Sequence, residues 1–182
     1  MSFFQSIKSG MFDFSLKRKL KQRRSIPSKA VNLENAKKIG LLFDATEADQ
    51  RKIALDFAEK WQKQKKQFRL LGFFNSKLKN ENFTFDHYNL KDINWFGAPA
   101  GETVNKFLAE DFDLLIHLST HPNLQMEYIS LLAVAPLKIG PPPASISGYD
   151  LMFEVAASSG LKQFIQQMET FLQKINTSPS HA

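Results

Sequence analysis

Short apolar runs the length of single strands alternate along this chain with segments of helical period, and no other property of the sequence restricts the fold as strongly. Residues 39–43, Ile-Gly-Leu-Leu-Phe, sit between Lys37-Lys38 and Asp44 and carry no polar residue at every second place, which marks a strand buried on both faces. Thr46 and Asp49 then open a helix in which Ile53, Phe57 and Trp61 recur every four residues, while Lys60, Lys63, Lys65 and Lys66 crowd its C-terminal end, where the helix dipole favours cations. Residues 68–74 form a second buried strand, and residues 83–88 alternate in part as a shorter third. A helix over 101–110 follows, with Val104, Phe107 and Leu108 inward. Then come a strand at 113–118, a helix at 124–135 with Pro122 near its first turn, and a short strand at 137–140 stopped by Pro141, Pro142 and Pro143. The last strand spans 149–155 and the last helix 161–175.

Such alternation predicts a three-layer, Rossmann-like α/β domain with a mostly parallel sheet and right-handed crossovers, running from residue 33 to 175. Residues 1–32 form a separate basic amphipathic arm, ended by Ile26-Pro27-Ser28, and residues 176–182 read as a disordered tail. With 17 Phe among 182 residues a dense core is available. Cys is absent, which excludes a disulfide framework, a thiolate metal cluster and a cysteine nucleophile and points to a cytoplasmic setting. No apolar run approaches the ~18 residues of a transmembrane helix.

The net positive charge is confined to the arm. Residues 1–30 hold eight Lys+Arg against the single acid Asp13, whereas the remainder is nearly balanced. Lys17, Arg18, Lys19, Lys21, Arg23 and Arg24 place six positive charges within eight residues, a density that suits a polyanion. Upstream, Phe3, Ile7, Met11 and Phe14 recur at spacings of four, four and three, with Phe4 beside them, so they share one helical stripe. Charges that follow the apolar part, and Asp13 within it, are the wrong order for a secretory signal. Two readings remain: the stripe and basic cluster bind a polyanion, or Phe3, Ile7 and Phe14 pack on the domain and the charges are solvated. Of the polyanions, an anionic membrane surface is preferred to RNA, because the apolar stripe adds burial to charge. That places the protein in the cytoplasm, peripheral at the inner face of the membrane.

In an open parallel sheet a ligand crevice lies beyond the carboxyl ends of the strands. The residues there are Asp44, Thr46, Asn75, Ser76, His117, Ser119, Thr120, His121, Asn123, Gly140 and Glu154. Asp44, Thr46, Ser119, Thr120 and Asn123 are the candidate ligand-binding set, and Asp49, His117 and His121 the candidate acid–base residues for an enzyme acting on a small ligand. His117 and His121 stand four apart, but no carboxylate accompanies them at ligand spacing, so no metal site is expected. Gly-x-Gly-x-x-Gly, Walker and Gly-x-Ser-x-Gly patterns are all absent, so neither a cofactor nor a serine triad is expected. Trp95-Phe96-Gly97 with Tyr88 offers aromatic surface for a base or sugar, the alternative being core. The whole therefore favours a non-enzymatic binding or accessory protein over a small-ligand enzyme.

Two stretches carry a family resemblance. Lys38-Ile39-Gly40-Leu41-Leu42-Phe43-Asp44-Ala45-Thr46-Glu47-Ala48-Asp49, and Phe112-Asp113-Leu114-Leu115-Ile116-His117-Leu118 running through Leu131 to Lys138-Ile139-Gly140, resemble an uncharacterised Bacteroidetes family of small Rossmann-like α/β proteins, a domain of unknown function. The resemblance spans residues 35–175 and implies the fold without a reaction. More distantly, the same stretches are similar to the N-terminal half of lipopolysaccharide heptosyltransferases. That similarity implies a sugar-nucleotide, glycosyltransferase-like half domain with Asp49 at the catalytic Asp, Ala48 where those enzymes have Gly, and His117 where their later strand has a second acid.

Overall fold

The computed structural model describes residues 3–22, 31–77, 83–143, 148–156 and 160–175, with side chains in the first helix from residue 7 onward. The predicted disordered tail, Arg23, Arg24 and the side chains of Phe3 and Phe4 lie outside the described residues and side chains.

The elements follow in the order α1 (Phe3–Gln22), β1 (Lys38–Asp44), α2 (Ala48–Gln62), β2 (Gln67–Phe74), β3 (Asp86–Asn89), α3 (Glu102–Leu108), β4 (Leu114–Leu118), α4 (Leu124–Leu132), β5 (Leu137–Gly140), β6 (Leu151–Met152) and α5 (Gly160–Lys174). The six strands form one sheet in the order β3-β2-β1-β4-β5-β6, and every pair of neighbours is parallel. This is the strand order of doubly wound nucleotide-binding folds, with the reversal of winding between β1 and β4. β1 is central, pairing with β2 and β4, and Ile39, Leu41, Leu42 and Phe43 are wholly buried, as a strand covered on both faces requires.

Successive side chains of a strand point to opposite faces, so the two cores separate cleanly. Ile39, Leu41 and Phe43 join Leu114, Ile116 and Leu118 under α2 and α5, through Phe57, Trp61, Phe164, Met168 and Leu172. Leu42, Leu71, Phe73, Tyr88 and Leu115 lie on the other face under α3 and α4, with Val104, Phe107, Met126 and Ile129. α1 adds an outer helix that packs on α4 rather than on the sheet.

Two strands differ from the sequence expectation. β3 occupies Asp86–Asn89 rather than 83–88, because Phe83 and Phe85 stack on each other at 4.9 Å and Phe85 turns onto Phe43, into the α2 side of the core. β6 shrinks to Leu151–Met152, since Phe153 packs edge-on against Phe164 and Phe171 of α5 instead of extending the ladder.

α1 differs more consequentially. Its docked stripe is Phe12 and Leu16, both buried, with Leu20 beside them, and not the stripe read from the sequence. Ile7, Met11 and Phe14 are 40%, 39% and 63% exposed, so the expectation that Ile7 and Phe14 would pack on the domain is corrected. The reason is geometric: residues 12, 16 and 20 repeat every turn and lie on the side of the helix opposite 7, 11 and 14.

Candidate functional site

At the reversal between β1 and β4, the loop leaving β1 is held by its own polar groups. The Thr46 N–H donates to Asp44 Oδ1 (2.8 Å), and Thr46 Oγ1 accepts from the Asn75 N–H (3.0 Å), which ties this loop to the end of β2. Arg51 Nη1 donates to the Ala45 carbonyl (2.5 Å) and its guanidinium lies 5.0 Å from the Phe83 ring centroid. Glu47 stands at the N-cap position of α2 without a side-chain capping hydrogen bond, and Asp49 stands exposed in its first turn, so carboxylates already lie at the positive end of the helix. An incoming phosphate would meet Asp44, Glu47 and Asp49 at that place.

The loop after β4 is built the same way. Ser119 Oγ donates to the His121 carbonyl (2.7 Å) and accepts from the His121 N–H (3.1 Å). Asn123 Oδ1 accepts from the N–H groups of Gln125 and Met126, capping α4. Thr120 is half-buried and His121 is exposed. Ser119 and Asn123 therefore shape their loop, and of the candidate acid–base residues only Asp49 and His121 face solvent.

His117 goes elsewhere. It is completely buried beside Leu42 and shares a hydrogen bond through Nδ1 with the Tyr149 hydroxyl at 2.5 Å. Burial pushes the imidazole down to about 3, so the ring is neutral across the physiological range. The Tyr149 hydroxyl is also 3.5 Å from Ser130 Oγ, and burial drives its ionisation well above the ordinary tyrosine value. Lys138 is buried as well; its ammonium donates to the carbonyls of Ser130 (2.6 Å) and Leu131 (3.3 Å) near the end of α4. Glu127, on the same helix, is 2% exposed.

Gly140 makes room for this group, because a Cβ there would lie 2.6 Å from Tyr149 Cε1. Tyr88 completes the edge: its buried hydroxyl is held un-ionised first by desolvation, then by the Asp44 carboxylate and Tyr149. Among the described residues the Tyr88 hydroxyl and His117 Nε2 have no hydrogen-bond partner. No group of three or more metal-ligating side chains occurs among those residues.

The second candidate surface is α1. Tyr128 of α4 receives it three times over: the Phe12 ring at 5.1 Å, the Ser15 hydroxyl at 3.1 Å and the Lys19 ammonium at 5.4 Å from the ring centroid. With that side docked, Ile7, Met11 and Phe14 point away from α4, and the same three-and-four spacing continues into Arg18 and Lys21. Lys17 is exposed next to them, whereas Lys19 is the basic residue drawn over Tyr128.

A family model described as "Family of unknown function (DUF6913)" matches residues 8–175. The chain belongs to that family. No curated protein and no solved structure matches it. The DUF6913 match begins inside α1 and runs through α5, so α1 from Lys8 onward lies within the matched region along with the sheet.

Tyr149, Ser130, Lys138 and Glu127 were not among the residues the sequence singled out, and neither was the Phe12–Leu16–Leu20 stripe. Signals existed for both. Lys138 interrupts an apolar tetrad in a short strand, the place where a polar residue must find an internal partner, and 12, 16 and 20 have the spacing of one helical face in this DUF6913 chain.

Proposed function

We propose that this chain is a non-enzymatic binding or accessory protein that docks peripherally on an anionic membrane surface through the outward face of α1. The observation that carries the reading is the sidedness of α1: Phe12, Leu16 and Leu20 are committed to α4, while Ile7, Met11 and Phe14 are left to solvent in line with Arg18 and Lys21. An interfacial helix needs that pairing, because apolar burial and attraction to anionic lipid add, the latter contributing about 1 kcal/mol per basic residue near the surface. No helix among the described residues is long and apolar enough to cross a membrane, which fits a surface contact. RNA calls for the charges but has no use for the exposed stripe.

Co-sedimentation with phosphatidylcholine vesicles, with and without phosphatidylglycerol, tests this. Binding that requires the anionic lipid and is lost when Met11 and Phe14 are both changed to Ser supports it. Binding to RNA that survives the same double substitution, with no vesicle binding, replaces the membrane by a nucleic acid.

A second reading draws on the unpartnered Tyr88 hydroxyl and His117 Nε2. Two buried polar atoms on one face, at the edge where doubly wound sheets bind ligands, favour a small polar ligand there, as a glycosyltransferase-like half domain would hold a sugar nucleotide. On that reading Asp49 and His121 are the solvent-facing acid–base candidates. Broadening of the Tyr88 and His117 side-chain NMR signals by nucleoside diphosphate sugars tests it; signals unmoved by any of them end it.

A further inference from the structure

A cavity of about 440 Å³ opens at the amino-terminal edge of the sheet, opposite the edge that carries the loops after β1 and β4. Its walls are the end of α2, the end of α5 and the chain that leads into β1. Leu33, Trp61 and Leu172 are buried and give it an apolar floor, while Glu34, Lys60 and Lys66 line the remainder.

The lysines that crowd the end of α2 are not spent on its carbonyls. Those are taken by the turn that follows: the Gln64 and Lys66 N–H groups donate to the Trp61 carbonyl (3.0 and 3.3 Å), and the Lys65 N–H donates to that of Gln62 (2.9 Å). The turn closes because Lys65 adopts φ 63°, a left-handed conformation that glycine takes with less strain. The ammonium groups of Lys60 and Lys66 go to the cavity wall instead. Lys60 donates to both carboxylate oxygens of Glu169 (2.8 Å each), which also accept the Trp61 indole N–H (2.8 Å), and it lies 5.4 Å from the Trp61 ring centroid. Lys66 reaches the main-chain carbonyl of Glu34. An ammonium has three N–H groups, so among the described residues Lys60 keeps one open donor and Lys66 two.

Charge is in surplus at the same place. Glu169 balances Lys60 and Glu59 balances Lys63 (2.8 Å), whereas neither Lys65 nor Lys66 has a carboxylate partner among the described residues. Set against the exposed Glu34, these two lysines leave one positive charge over.

We infer that this cavity binds a monocarboxylate with a small apolar body, its carboxylate between Lys60 and Lys66 and its body against Trp61. A single carboxylate matches both the open N–H donors and the surplus charge, and such charge-assisted bonds are the strong ones. A phosphate ester brings a second negative charge beside Glu34. The volume lies within the roughly 300–1,000 Å³ of small-molecule sites, which likewise combine apolar walls with a few polar groups that orient the ligand. The inference stands apart from the α1 reading and from the crevice at the other edge.

Two-dimensional ¹H–¹⁵N spectra of the full chain follow the two indole N–H resonances, with Trp95→Phe assigning them, during titration with benzoate, 3-phenylpropionate and octanoate. Expected are a saturable shift of the Trp61 resonance while that of Trp95, 60% exposed, stays in place, and at least tenfold weaker binding of the neutral analogue benzamide. Lys66→Met should lose roughly tenfold in benzoate affinity and Lys66→Arg should restore it. Benzamide or benzylamine bound as tightly as benzoate, or an affinity unchanged in Lys66→Met, takes the carboxylate out of the cavity and overturns the inference. So does a Trp61 resonance that none of the three acids moves. Where Lys66→Met loses the dispersed spectrum of a folded chain, the comparison of benzoate with benzamide and benzylamine on the parent chain decides alone.

Discussion

The rings of Phe12 and Tyr128 meet with centroids 5.1 Å apart and planes tilted by 55°, and this contact decides which side of α1 faces away from the domain. Phe12 and Tyr128 are 6% and 1% exposed, so the pair lies under cover although it joins α4 to the outer helix α1. The residues that dock α1 and those that it displays are separable by mutation.

Phe12→Ala removes the ring from Tyr128 and leaves Leu16 as the one fully buried apolar residue of the docked stripe. A loss of about 2–4 kcal/mol is expected, as for a buried aromatic truncated at the rim of a core. Hydrogen exchange should then accelerate throughout α1 while β1 and β4 keep their protection. Uniform acceleration of both would mean that α1 and the sheet unfold as one unit.

Phe14→Asp should do the reverse. Phe14 is 63% exposed, so stability should stay within about 0.5 kcal/mol in urea denaturation. Vesicle binding should fall by an order of magnitude or more, because a carboxylate replaces an inserted ring and also opposes the anionic surface. A large loss of stability would show that the displayed face has a folding role.

The neutral imidazole of His117 predicts an acid-sensitive fold. Its value of about 3 in the folded chain lies below the ordinary 6.5, so between those limits the unfolded chain binds the extra proton. Stability is fully present above pH 6.5 and declines on acidification by about 1.4 kcal/mol per pH unit from this residue until the folded value is reached. His117→Gln should reduce the acid slope of urea-midpoint against pH by close to one proton. An unchanged slope would place the acid sensitivity on other groups.

Gly140→Ala drives a methyl group to 2.6 Å from the Tyr149 ring, in a place where Tyr149 is held by His117 and near Ser130. Overpacking of this kind costs about 1–3 kcal/mol. The Tyr149 hydroxyl should also leave His117 Nδ1, seen as a shift of the His117 ring resonances. A variant as stable as the parent with unmoved resonances would show that the loop preceding β6 yields freely.

The sheet was legible because its central strands are continuous apolar runs, and Leu41 and Leu114 could hardly be anything but double-sided. The edges were not, since Phe83, Phe85 and Phe153 have strand-like composition yet put their rings into the core beneath α2 and α5, and composition does not distinguish pairing from packing. α1 carries two apolar stripes at helical spacing, and nothing in a linear sequence tells which of the two meets Tyr128. His117 was conspicuous, but its partner Tyr149, and Ser130 beyond that hydroxyl, lie 32 and 13 positions away along the chain, so their meeting depends on the strand order. Asp44, Thr46, Ser119 and Asn123 lie at the expected edge, where Asp44, Ser119 and Asn123 support their own loops and Thr46 ties its loop to the end of β2.

Because the described part of α1 touches the rest of the molecule along one side only, its residues fall into two sets that interleave every three or four positions, one packed on α4 and one left to solvent. Relatives that share the fold but serve a different surface should keep apolar bulk at positions 12, 16 and 20 and diverge at 7, 11 and 14. On the membrane reading, the helix is a place where lipid preference can change without the sheet registering it.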